Sequence, residues 1–154
     1  PAAGSVGEVI EGRDGATGDE ATADGDRRLR RLVGVYDADH TLRGELSYWV
    51  GARLGRAHCS LCDITHGLVR ERSEWRTCRD GLPVPFDAYH RDDQPPEVRA
   101  ATGDVAPVVV AETTAGIVNL LAPADLDACE GSADRLVEAL DHAIRREGLL
   151  WPSR

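Results

Sequence analysis

Lysine and methionine are absent from this chain, phenylalanine occurs once, and asparagine and glutamine are represented only by Asn119 and Gln94. Without lysine there can be no Walker-type phosphate loop, and the glycine patterns of dinucleotide-binding turns and of the α/β-hydrolase nucleophile turn are missing too. No nucleotide cofactor is therefore expected. No apolar run approaches the roughly 18 residues of a membrane span, and the N-terminus has neither a basic segment nor a signal-type apolar one. We therefore expect a soluble, cytoplasmic protein with no membrane partner. Basic residues, all arginine, number 18 against 27 acidic ones, for a formal charge of -9. That balance disfavours nucleic acid as a partner. The bias toward Ala, Gly, Asp and Arg suggests a GC-rich bacterial genome.

What is present, 154 residues, suits one domain with a hydrophobic core. Residues 1–26 offer only Val6, Val9 and Ile10 as sizeable apolar groups, too few to offset the entropy of ordering. Seven acids there face Arg13 alone, so this stretch carries -6 of the charge and is read as a disordered acidic tail. Residues 27–154 form the predicted domain.

Arg31 to Tyr36 reads as a strand, with Asp37-Ala38-Asp39-His40 as the turn leaving it. Leu42, Leu46, Trp49, Val50 and Leu54 recur at helical spacing, which predicts an amphipathic helix from Thr41 to about Gly55. A short helix is expected from Cys59 to a stop at Gly67, and Ser73 would cap another through Trp75 and Cys78. Val84, Phe86, Ala88 and His90 alternate as a strand does. Pro95-Pro96 opens a helix to Ala101, where a proline at the first helical position does no harm. Pro107 to Ala111 and Ile117 to Leu121 flank a turn at 113–116 and read as a hairpin. Ser132 then caps a last helix whose apolar face is Ala133, Leu136, Val137, Leu140, Ala143 and Ile144, stopped by Gly148.

The order is strand, helix, strand, helix, strand, strand, helix. With a right-handed crossover and a terminal hairpin, this α/β order resembles the thioredoxin-like fold superfamily. The resemblance extends to Val105-Ala106-Pro107 before the third strand, where it implies a cis-proline beside an active site. The chain departs from that family at the junction of first strand and first helix, Asp37 to Leu42, which has no thiol. Its Cys-x-x-Cys lies instead in a Cys/His-bearing helical insert, so the family's cysteines do not transfer by position.

That insert, His58-Cys59-Ser60-Leu61-Cys62-Asp63-Ile64-Thr65-His66, is the densest chemical cluster, and Cys78 follows it. On a helix, Cys59, Cys62 and His66 are spaced i, i+3 and i+7 and share one stripe. Two thiolates and an imidazole suit zinc or iron, and Cys78 could complete a Cys₃His set, with His58 and Asp63 as substitutes or outer partners. This metal-binding module is the first reading. The second is a thiol–disulfide oxidoreductase, with Cys59 as a thiolate nucleophile favoured by a helix N-terminus, Arg56 and His58, Cys62 as the resolving thiol, and His66 as its proton acceptor. A non-catalytic domain that binds a protein partner is the third. Asp37, Asp39 and His40 with Glu45, and separately His90, Asp92 and Asp93, are read as polar turns at the strand ends where α/β proteins often bind ligands. Cys129, Trp49 and Trp75 are expected in the core, and Trp151 as an anchor of the tail.

Overall fold

The computed structural model describes residues 25–37, 59–66 and 71–153. The predicted tail, except its last two residues, and the predicted helix over 41–55 lie outside the described residues. So do Asp39, His40, Glu45, Arg56 and His58.

The chain forms a mixed α/β structure. Among the described residues its elements are β1 (Leu29–Tyr36), α1 (Ser60–Thr65), α2 (Ser73–Asp80), β2 (Phe86–His90), α3 (Pro96–Thr102), β3 (Val108–Thr113), β4 (Gly116–Leu121), α4 (Pro123–Asp127) and α5 (Ala133–Arg146). The four strands make one sheet in the order β2-β1-β3-β4. β1 runs parallel to β2, with Leu32 opposite Phe86, and antiparallel to β3, with Val35 opposite Val108. The hairpin of β3 and β4 is antiparallel, as expected from its two apolar runs. Among the described residues no helix is long and apolar enough to cross a membrane.

Because successive side chains alternate across a strand, β1 supplies both faces of the sheet. Leu32 and Tyr36 join Phe86, Val109 and Ala111 in the larger core, beneath Leu61 and Ile64 of α1, Trp75 of α2, Leu126 of α4 and Leu136, Leu140 and Ile144 of α5. Val33 and Val35 join Val108 and Val110 on the opposite face, covered by Val98 of α3. On that face Arg31 bridges three strands. Its guanidinium donates to Glu112 at 2.5 Å, Asp87 at 3.0 Å and Tyr89 at 3.4 Å. These bonds hold its pKa above the ordinary arginine value, against the opposing effect of burial.

Gly34 is the one β1 position that faces α1 without a side chain. A Cβ there would stand 3.0 Å from Phe86 ring atoms and 3.1 Å from Leu61 Cδ2. The missing side chain lets α1 settle onto the sheet. Gly34→Val is therefore expected to cost about 1–3 kcal/mol, as overpacked cores do. Urea unfolding should give a lower midpoint with an unchanged slope, and an unchanged midpoint would refute the close packing.

Ser132 Oγ caps α5 by accepting from the Arg135 N–H at 3.3 Å, as its sequence position suggests. The first and last described segments meet: the Leu29 N–H donates to the Leu150 carbonyl and the Leu150 N–H to that of Arg27, both at 2.9 Å. Arg28 also donates to Ser153 Oγ at 2.9 Å. The Ala106–Pro107 peptide bond is cis, and Pro107 stands just before Val108, beside the C-terminal end of β1.

Candidate functional site: the Cys59–Cys62 pair

Cys59 is the N-cap of α1 with extended backbone angles, and Cys62 follows within its first turn. The turn brings the two sulfurs together. Cys62 Sγ donates to Cys59 Sγ at 2.6 Å, and the Cys62 backbone N–H donates to the same sulfur at 3.4 Å. A third donor is the backbone N–H of Asp37, the residue that follows β1. Both cysteines are free thiols. Cys59 is buried, with 7 % of its surface exposed, whereas Cys62 is half-buried.

Three donors aimed at one sulfur favour its thiolate. The Cys59 pKa is lowered, first by the Cys62 thiol and then by the two backbone N–H groups, while burial and the Asp37 carboxylate act in the opposite direction. α1 has only six residues, so individual hydrogen bonds carry this effect more than an extended dipole. Arg91, after β2, pairs with Asp37 at 3.3 Å and offsets that carboxylate's charge.

Ser60, between the two cysteines and 5 % exposed, is tied by its hydroxyl to the Asp127 carboxylate at the end of α4. At the other end of α1, Thr65 Oγ1 donates to the Leu61 carbonyl at 3.0 Å and lies 3.0 Å from the Tyr36 hydroxyl. These contacts fix a short helix that its own backbone could not hold alone.

The predicted stripe of three ligands is interrupted after Thr65. His66 is the C-cap, with φ -127° and ψ 141°, and the change to extended backbone takes its side chain off the helical register. Its Nδ1 lies 2.7 Å from Thr65 Oγ1, and its ring meets Tyr36 edge-on with centroids 5.5 Å apart. Cys78 is engaged between α2 and α5, where its thiol donates to Asp134 Oδ1 at 3.6 Å. Burial and Asp134 raise its pKa. Cys129 is in the core as expected, donating to the Asp125 carbonyl at 3.4 Å. The structure thus brings Cys59 and Cys62 together and gives His66 and Cys78 other partners. Among the described residues no group of three or more His, Cys, Asp or Glu side chains is arranged to hold a metal ion.

The polar turn after β2 closes on itself, with Asp93 accepting from the His90 backbone N–H at 2.5 Å and lying 3.2 Å from its Nδ1. Beside it a cavity of about 340 Å³ is lined by Tyr36, His66, Glu71, Trp75, Arg79 and His90 among others, with Glu71 and Arg79 paired across its wall. Sequence reasoning missed the Asp37 donor and the Ser60–Asp127 tie, because both join segments far apart in the chain and neither has a local pattern. Comparison of the chain with family models, curated proteins and solved structures returns no match.

Proposed function

We propose that this protein is a thiol–disulfide oxidoreductase on a thioredoxin-like scaffold. The observation that carries the reading is the 2.6 Å approach of Cys62 Sγ to a Cys59 sulfur that also accepts backbone hydrogen bonds. The sheet order β2-β1-β3-β4 and the docking of the Cys-x-x-Cys turn against the residue that ends β1 support the scaffold. The proposed reaction is a two-electron exchange. Cys59 and Cys62 join as a disulfide, and the substrate disulfide is cleaved to two thiols, one taking the proton of the pair and the other taking one from water. A dithiol reductant returns the pair to its reduced form.

The test is a redox titration of the full chain against mixtures of reduced and oxidised glutathione, with metal analysis of protein purified without chelator. A reversible Cys59–Cys62 disulfide, located by peptide mass, and no stoichiometric zinc or iron is the expected result. One equivalent of metal, lost when both cysteines become serine, would replace this function with the metal-binding module.

A further inference from the structure

We propose that Cys62 is the sulfur that meets the substrate disulfide, and that Cys59 accepts its proton and then closes the pair. This ordering rests on the dithiol reading above and reverses the roles that the sequence assigns to the two thiols. Its basis is access and occupancy. Attack on a disulfide requires the incoming sulfur to approach along the axis of the bond being broken, so the attacking atom must be reachable from outside. Cys59 has 7 % of its surface exposed and receives three donors, the Cys62 S–H and the N–H groups of Cys62 and Asp37. Those bonds stabilise its negative charge and occupy the lone pairs that an outside disulfide would need. Cys62 is the more exposed of the two, and its S–H already points at Cys59 Sγ.

The steps balance as follows. Cys62 Sγ attacks one substrate sulfur while its proton passes to the Cys59 thiolate; the substrate S–S bond breaks, and the first substrate thiolate leaves. That thiolate takes the proton from Cys59. Cys59 Sγ, still held by the two backbone N–H groups, attacks Cys62 Sγ and expels the second substrate thiolate. One disulfide is reduced and one formed, and the single proton ends on a substrate thiol. Among the described residues, the charged groups near the pair are Asp37 with its partner Arg91, Asp127 on Ser60, and Asp63 of α1. The Cys59 sulfur is the acceptor to which the Cys62 thiol is already hydrogen-bonded.

Single-cysteine variants distinguish the roles, with 5,5′-dithiobis(2-nitrobenzoate) as the substrate disulfide and mass spectrometry locating the adduct. Cys59→Ser should retain a stable adduct on Cys62. In Cys62→Ser, modification of Cys59 should be at least about tenfold slower, because access limits it. A second measurement uses the wild-type chain and needs neither variant to fold: substoichiometric N-ethylmaleimide should modify Cys62 first. Equal or faster modification of Cys59 in either experiment overturns the ordering. Should the wild type form no internal disulfide with glutathione, the proposed function fails, yet the order of maleimide modification still decides which sulfur is the accessible one.

Discussion

The double variant Cys59→Ser, Cys62→Ser is expected to lose disulfide exchange almost completely, retaining none through the two remaining cysteines. Cys78 is held in its protonated form by burial and by the neighbouring Asp134, and Cys129 by burial and Asp125. A thiol whose pKa lies above its ordinary value near 9 presents roughly one thiolate in a hundred or fewer at pH 7. Neither residue can replace the pair. The fold should survive, since serine is a good N-cap and its hydroxyl can accept the bonds that Cys59 accepts. Activity measured as reduction of a small aromatic disulfide should fall to background while the far-ultraviolet circular dichroism is retained. A residual rate that grows as pH approaches 9 would implicate Cys78 or Cys129 and count against the pair as the sole redox centre.

The same thiolate links stability to pH. The folded pKa of Cys59 is depressed below the unfolded value near 9. Its contribution to the reduced protein is therefore complete above that value and is lost as pH falls through the folded pKa. Between those limits the reduced wild type should gain stability over the double variant as pH rises, as compared by urea midpoints. A difference that is flat with pH would mean that Cys59 titrates normally.

Trp75→Ala should be the most destabilising of the core truncations on the helical face. Trp75 is 2 % exposed, and its ring meets Phe86 edge-on with centroids 4.8 Å apart. It is also the only buried residue of α2, with Cys78 packed beside it at the edge of the core, so the attachment of that helix depends chiefly on this side chain. Truncations of this kind cost about 3–5 kcal/mol, a large share of the roughly 5–15 kcal/mol that holds a domain folded. Urea unfolding should show that loss, and amides of α2 should exchange faster than those of α5. Trp75→Phe keeps part of the ring contact and should recover much of the difference. A loss below about 1 kcal/mol for the alanine variant would show that α2 is held by other contacts.

Strong periodicity made most of the architecture legible. The valines of β3 and the Leu136, Leu140 and Ile144 face of α5 have only one reasonable placement, and both elements form where their patterns predict. Boundaries moved where distant partners act. β1 begins at Leu29, earlier than expected, because the far end of the chain supplies the Leu150 carbonyl. β3 continues to Thr113, whose hydroxyl donates to the Gly116 carbonyl at 3.0 Å. α4 went unread, although Pro123 stands at its start and Asp125 Oδ2 accepts from the Ala122 N–H at 2.8 Å. Five residues are too few for a periodic signal. At the site, the pairing of Cys59 with Cys62 was readable from spacing alone. The loss of His66 from the stripe depends on Thr65 and Tyr36, and the placement of Cys59 at Asp37 joins residues far apart in the chain. Neither contact leaves a mark in local sequence.

The meeting of Arg27–Leu29 with Leu150–Ser153 bears on how the molecule tolerates being re-engineered. Those segments lie at the start of β1, and the thiol pair lies at its other end, about 23 Å away at the usual rise per strand residue. A protein joined directly at residue 25 or residue 153 would emerge from the corner opposite the sulfurs and leave them open to substrate. The same proximity suits circular permutation of residues 25–153, because a short linker could join residue 153 to residue 25 and new ends could be cut in a surface turn such as Thr114-Ala115, with the sheet order unchanged.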